Sequence, residues 1–155
     1  MEKWISHLAR KEIQRVNFDS IDLDETLPLE STMQATTLSY LEELYSKFII
    51  YINEFNAIRE TESPLQKIKI YKITDTECDF VLFRNGLKLL ITKKSFHSIA
   101  IQYIDQEKKL ESYHEILLKI GTFEELQWCH QGQTFQQESF VRYYLSDFIR
   151  KSSIL

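Results

Sequence analysis

An Asn-Gly pair between two apolar runs is the feature that most restricts the fold of this chain. The segment 81–91, VLFRNGLKLLI, has Asn85 and Gly86 at its centre. Both residue types tolerate the positive φ angles that a two-residue type I′ turn requires, so the segment predicts a tight β-hairpin. The turn also fixes the register of the two strands and places Phe80 opposite Ile91.

Both faces of this hairpin carry large apolar side chains. Because side chains alternate along a strand, one face is predicted to hold Phe80, Leu82, Leu89 and Ile91. The other face is predicted to hold Asp79, Val81, Phe83, Leu90 and Thr92. An antiparallel sheet with one face in water normally shows polar residues on that face. We therefore predict cover on both sides, by a long helix on one side and by the N- and C-terminal helices or a second subunit on the other.

The most regular part of the sequence is helical. Apolar residues recur at intervals of three and four residues: Leu38, Leu41, Tyr45, Phe48, Ile52 and Phe55. This spacing puts them on one side of an α-helix, which we predict over residues 32–60. Pro64 then ends the helical pattern, since proline cannot continue a helix. Residues 2–16 and 134–151 predict shorter N- and C-terminal helices.

Alternating residues predict four antiparallel strands between residues 66 and 104. The spacing of residues 110–120 fits a helix or a fifth strand equally well. Thr122 with Glu125, and Thr134 with Gln137, resemble capping boxes that begin helices. The predicted fold class is α+β: a long central helix packed on an antiparallel meander of four or five strands, with N- and C-terminal helices. We predict that residues 1–155 form a single domain.

Composition limits the function classes. The formal net charge of -4 argues against a broad basic face for nucleic acid. Cys78 and Cys129 lack the spacing of a metal or disulfide motif, and no apolar leader begins the chain. No segment approaches the roughly 20 apolar residues of a membrane helix. These features predict a cytoplasmic protein with free thiols, no cofactor and no membrane partner.

An acidic segment precedes the long helix. In residues 17–30 hydrophobic and acidic side chains interleave, and Pro28 interrupts any regular period, so we predict a connecting arm. Such an arm either packs over the protein's own sheet or docks into a groove of another protein. The residues predicted to contact a partner are Phe18, Ile21, Asp22, Leu23 and Asp24.

Basic residues on the predicted strands offer a different function. Aromatic side chains framed by cations on a sheet can stack on single-stranded bases. The candidate nucleic-acid-binding residues are Lys67, Lys69, Tyr71, Lys88 and Lys93. The alternative explanation is that lysines on exposed strands discourage association between sheet edges.

The same hairpin superficially resembles the motif of restriction-endonuclease-like nucleases. In that family an Asp and an acidic-x-Lys pair on the next strand hold Mg²⁺ and orient the attacking water. Asp79 and Lys93 match in type, but Ile91 stands where the second acid is needed. The predicted register also puts Asp79 and Lys93 on opposite faces. The resemblance therefore supports at most a degenerate nuclease scaffold.

No catalytic or metal-binding motif is present. The four histidines lack zinc-ligand spacing, and the three glycines form no phosphate-binding loop. Tyr143 and Tyr144 suit a pocket or a core position. The leading hypothesis is a non-enzymatic protein-binding module, such as an adaptor, immunity protein or chaperone, that forms a homodimer. The alternatives are a nucleic-acid-associated protein and a small-ligand enzyme or receptor with a pocket between helix and sheet.

Overall fold

The computed structural model describes residues 3–17, 22–59, 66–107 and 110–153. The chain divides into two compact units, Met1–Thr32 and Met33–Leu155. The first unit contains helix α1, Lys3–Asn17, which exposes three large apolar side chains, Trp4, Ile5 and Leu8. The single-domain interpretation stays a prediction.

Helix α2 comprises residues Asp22–Arg59 and is 38 residues long. It begins ten residues before the predicted start, so the interpretation of residues 22–30 as an irregular arm was wrong. Proline removes one helical hydrogen bond and disfavours the helical interior, but the helix continues through Pro28. Within the second unit, three residues of the predicted seam, Leu41, Phe48 and Ile52, are almost fully excluded from solvent. The other three, Leu38, Tyr45 and Phe55, are partly buried.

A seven-stranded antiparallel sheet follows. The strands are β1 Lys69–Lys72, β2 Phe80–Arg84, β3 Leu87–Ser95, β4 Ser98–Ile104, β5 Leu110–Ile120, β6 Leu126–His130 and β7 Gln133–Thr134. Neighbours in sequence are neighbours in the sheet, so the topology is a simple meander. The α+β class and the meander are therefore confirmed, with seven strands instead of four or five.

Two segments account for the additional strands. Residues 110–120 form strand β5, which settles the alternative left open by their spacing. Residues 126–130 form strand β6, so the helix predicted after Thr122 was wrong. Pairing of β6 with β5, with Leu118 opposite Trp128, overrides the local resemblance to a capping box. Helix α3, Gln137–Ser152, was predicted, but Gln136 and not Thr134 precedes it as the N-cap.

The Asn85-Gly86 hairpin forms with the predicted register. Phe80 pairs with Ile91. Asn85 and Gly86 have φ angles of 51° and 83°, the left-handed conformation that the turn requires.

One face of the sheet, here called the inner face, supports the core. Its central residues are Phe80, Leu82, Leu89, Ile91, Ile101 and Tyr103, all at most 1% exposed. Helix α2 packs here, since the rings of Phe48 and Phe80 lie 5.8 Å apart. Helix α3 packs on the same face, since the Tyr103 hydroxyl donates a hydrogen bond to Asp147. The expectation that the C-terminal helix covers the opposite face was therefore wrong.

The width of the sheet explains why both helices fit on one face. Six spacings of about 4.8 Å make seven strands roughly 29 Å wide, whereas a helix with side chains is about 10 Å across. A sheet of four strands has room for one helix, and a sheet of seven has room for two.

The hairpin tip also fastens the end of α3. The buried Arg84 guanidinium donates to the carbonyl oxygen of Gln66 at 2.9 Å and to that of Ile149 at 3.3 Å. Asn85 Nδ2 donates to the carbonyl oxygen of Ser152 at 2.7 Å. The bonds to Ile149 and Ser152 reach carbonyl groups in the last turn of α3, which receive no backbone N–H from the helix. The turn therefore has a structural role.

Candidate functional site

The face of the sheet opposite the two helices is called the outer face. Its apolar residues on β2 and β3, Val81, Phe83 and Leu90, are only half-buried. Tyr71 on β1 is 47% exposed. Together with Ile73 and Lys88 they line a shallow groove of about 530 Å³. The described residues of the second unit thus leave an apolar sheet surface open.

Strand register arranges the outer face in rows across the strands. In one row Phe83 lies between Lys69 on β1 and Lys88 on β3. The next row is uncharged, with Val81 between Tyr71 and Leu90. The apolar surface therefore has a basic margin at one end of its strands.

The opposite end of the same surface is acidic. Asp79 immediately precedes β2, and alternation places its side chain on the Val81 face. Its Oδ1 atom accepts a hydrogen bond from the backbone N–H of Lys93 at 2.8 Å. Glu115 on β5 lies farther across the sheet and forms an ion pair with Lys94 at 3.1 Å. Because Lys94 neutralises Glu115, Asp79 supplies the net negative charge of this end, and the outer face has a basic end and the Asp79 carboxylate on either side of an apolar row.

The structure brings together three of the five predicted nucleic-acid-binding residues. Lys69, Tyr71 and Lys88 share the outer face. Lys93 lies on the inner face, where it pairs in register with Ile99, and its Nζ atom is 3.8 Å from Glu77. Lys67 precedes β1 and is half-buried. The continuous basic surface that a large nucleic-acid interface needs is therefore not formed by these five residues.

The predicted partner-binding residues can be placed only in part. Phe18 and Ile21 lie outside the described residues. Asp22, Leu23 and Asp24 occupy the start of α2. Their role in binding a partner stays a prediction.

The nuclease-like pair does not form a metal site. Asp79 contacts the backbone of Lys93, while the Lys93 side chain points to the inner face. Among the residues described, no group of three or more His, Cys, Asp and Glu side chains is placed to hold a metal ion. The carboxylate of Asp79 instead holds the start of β2 against β3.

The thiol of Cys78 is poorly suited to nucleophilic chemistry. Burial, together with the neighbouring Glu42 carboxylate, raises the pKa of Cys78 to about 11. Since the thiolate is the nucleophile, almost none of the reactive form exists at neutral pH. Cys129 is also a free, buried cysteine.

The sequence predicted which apolar residues share the outer face, although the residues predicted to bind nucleic acid were mostly lysines. Alternation in the hairpin had already placed Val81, Phe83 and Leu90 on one side. What it did not reveal was that both helices pack on the other side.

These features define an α+β protein with a seven-stranded meander and an open apolar sheet face. No described helix is long and apolar enough to cross a membrane. No protein-family model, curated protein or solved structure matches the chain.

Proposed function

We propose that this protein is a non-enzymatic protein-binding module that uses its outer face to bind a second copy of itself. The observation that carries the proposal is an apolar row made of the exposed Tyr71 and the half-buried Val81 and Leu90, beside Phe83. Open antiparallel sheets normally place polar residues on such a face. Apolar patches with a polar margin mark interaction surfaces.

Hydrophobic burial supplies the driving force for docking. Removing a Val, Leu or Phe side chain completely from water contributes about 1.5–3 kcal/mol. Val81, Phe83 and Leu90 are half-buried already, so each has only part of that free energy left to gain. Because these side chains are contiguous, a single docking event removes all of them from water.

Charge complementarity favours a second copy as the partner. If a two-fold axis runs along the row Tyr71, Val81 and Leu90, the basic end of each outer face meets the acidic end of the other. Asp79 of one copy then lies opposite Phe83, between Lys69 and Lys88 of the second copy. A two-fold axis repeats every such contact, so the charges are matched twice.

The size of the surface indicates a weak dimer. Strands β1 to β3, about 4.8 Å apart, and three rows about 6.7 Å apart give roughly 300 Å² per copy. This is less than half of the ~800 Å² per partner of a standard interface. We therefore expect a dissociation constant in the micromolar range.

Sedimentation equilibrium of the full chain tests the proposal. We expect the wild-type protein to dimerise reversibly and Phe83→Lys to be monomeric at the same concentrations. Phe123→Lys is the matched control, because Phe123 is 87% exposed in the turn after β5 and lies outside the outer face. It should dimerise like the wild type.

Charge variants test the orientation. Lys69→Glu with Lys88→Glu should weaken the dimer, and high salt should weaken the wild-type dimer because it screens the contacts between Asp79 and the two lysines. A wild-type protein that stays monomeric at millimolar concentration would contradict the proposal. Dimerisation that is indifferent to Phe83→Lys would place the interface elsewhere and equally contradict it.

Single-stranded nucleic acid is the second candidate partner. The row Lys69, Phe83 and Lys88, next to the exposed Tyr71, combines cations with aromatic rings. Such rings stack on successive bases, each worth about 1–3 kcal/mol. Fluorescence anisotropy with a labelled poly(U) oligonucleotide tests this function: salt-dependent binding that is lost in Tyr71→Ala supports it, and no binding at micromolar protein rejects it.

A further inference from the structure

A second cavity lies on the inner-face side of the sheet, away from the outer face. It has a volume of about 390 Å³ and lies between strands β5 to β7 and the first turns of α3. Ile116 and His130 line it from the sheet, and Ser139 and Tyr144 line it from the helix. Its volume is within the range of small-molecule pockets.

Tyr144 is the most informative residue of this cavity. It is 6% exposed, and its hydroxyl forms no hydrogen bond with a described residue but is not among the buried polar atoms, so it reaches solvent. Tyr103, which is also buried beneath α3, instead donates to Asp147 at 2.9 Å. A hydroxyl that reaches solvent can exchange its bond to water for a bond to a ligand. The Tyr144 hydroxyl is therefore available to a ligand in the cavity that it lines.

Other polar groups of the cavity are similarly available. The side chains of His130, Thr134 and Ser139 form no hydrogen bond with any part of the chain that the structure describes. Gln133 completes the polar lining. Hydroxyl, amide and imidazole groups together can donate and accept hydrogen bonds.

An aromatic wall forms the remainder of the cavity. The ring centroids of Phe135 and Phe140 are 5.8 Å apart, and those of Phe140 and Tyr144 are 4.7 Å apart. Tyr143, whose ring lies 5.0 Å from that of Tyr144, continues the wall. Aromatic surfaces of this kind favour stacking or edge contacts with another ring.

The charge of the lining narrows the ligand class. None of the residues lining the cavity is Asp, Glu, Lys or Arg. Burial raises the pKa of Tyr144 to about 12, so its hydroxyl is neutral throughout the physiological range. A charged ligand would therefore find no carboxylate, ammonium or guanidinium counter-ion among these side chains.

We propose that this cavity binds an uncharged ring compound that carries a hydroxyl, amide or ring N–H group, with Tyr144 as a hydrogen-bonding residue. The ring lies against the wall formed by Phe135, Phe140 and Tyr143, and its polar groups face Tyr144, Ser139 and His130. The site is independent of the outer face, so it adds a ligand to the proposed protein-binding function.

Isothermal titration calorimetry of the full chain tests the site with four neutral probes: adenosine, uridine, indole and salicin. Adenosine 5′-monophosphate and indole-3-acetate are their charged counterparts. We expect saturable binding of at least one neutral probe. Where that probe is adenosine or indole, its charged counterpart should bind at least tenfold more weakly.

Two variants separate binding from structure. Tyr144→Phe removes only the hydroxyl and should weaken the bound probe about tenfold, with no loss of thermal stability, because no protein contact disappears. Tyr113→Phe is the matched control, since Tyr113 is 41% exposed and lies on β5 outside the cavity. It should leave binding unchanged.

Three results would overturn the proposal. They are the absence of binding by all four neutral probes at millimolar concentration, equal binding of charged and neutral counterparts, or unchanged affinity in Tyr144→Phe. The monomeric variant Phe83→Lys should bind the probe like the wild type. Probe binding by Phe83→Lys would show that the cavity works whether or not the outer face forms a dimer.

Discussion

Replacing Tyr103 by Phe should destabilise the fold by loosening the attachment of α3 to the sheet. Tyr103 is 1% exposed on β4, and its hydroxyl donates to Asp147 Oδ2 at 2.9 Å. Lys151 Nζ lies 3.2 Å from the same carboxylate oxygen and 4.2 Å from the centre of the Tyr103 ring. Tyr103→Phe keeps the ring and removes only the hydrogen bond.

The magnitude follows from the charge of the acceptor. A hydrogen bond to an ionised group contributes about 1.5–3 kcal/mol, so we expect the free energy of unfolding to fall by about 2 kcal/mol. For a chain of this size that corresponds to a decrease in Tm of roughly 4–8 °C. Urea denaturation followed by circular dichroism compares the free energy of unfolding of the wild type with that of Tyr103→Phe under the same conditions.

The effect should depend on pH. Burial raises the pKa of Asp147, but the hydrogen bonds from Tyr103, Lys151 and Arg150 outweigh it and leave the pKa below its ordinary value. A carboxyl group whose folded pKa is lowered stabilises the fold above its unfolded pKa, about 3.9, and loses that contribution as the pH falls through the folded pKa. The difference between wild type and Tyr103→Phe should therefore shrink below about pH 4.

Tyr144→Phe is the matched control, because it removes a hydroxyl that has no partner among the described residues. It should change the free energy of unfolding by less than about 0.5 kcal/mol. Equal stabilities for Tyr103→Phe and Tyr144→Phe at pH 7 would refute the distinction drawn between the two tyrosines.

Three further substitutions or reactions test other parts of the fold. Arg84→Met should lower the free energy of unfolding by about 2–4 kcal/mol in urea denaturation, since it removes the donors to the carbonyl groups of Gln66 and Ile149. Lys88→Ala is the control, and an equally small loss in both variants would contradict this role of Arg84. Gly86→Ala should cost about 1–2 kcal/mol, because Gly86 has a φ of 83° and a Cβ atom there would meet the Gln106 side chain; an unchanged Tm would show that the turn tolerates Ala. In a Cys129→Ser background, Cys78 should react with Ellman's reagent at pH 7 roughly a hundredfold more slowly in the folded protein than in urea, as its raised pKa requires; equal rates would contradict the burial of this thiol.

Local chemistry made the hairpin predictable from the sequence. Asn85 and Gly86 determine the turn, and the turn determines which residues pair, so no distant contact is needed. The seam of α2 from Leu41 to Ile52 was also predictable, because helical spacing is a property of neighbouring residues.

Elsewhere the structure differs from what the local sequence signals predict. Residues 126–130 form β6 because they pair with β5, whereas Thr122 and Glu125 locally resemble a helix start. Residues 22–30 are helical even though Pro28 and the acidic residues favour an irregular segment.

The candidate sites were predictable to different degrees. Alternation placed Val81 and Phe83 together, but only the packing of α3 on the inner face left them open. Tyr144 has the helical spacing of a core residue, and its spacing cannot distinguish a paired hydroxyl from an available one. A sequence identifies faces, whereas the occupancy of a face depends on how the elements pack.

Methyl NMR during dilution tests most directly whether the outer face binds a second copy. The protein would be diluted from about 1 mM to about 10 µM, a range that brackets a micromolar dissociation constant. We expect the methyl resonances of Val81 and Leu90 to shift, while those of Leu89 and Ile91 on the inner face stay constant. Resonances of Val81 and Leu90 that do not change over this range would contradict self-association through the outer face.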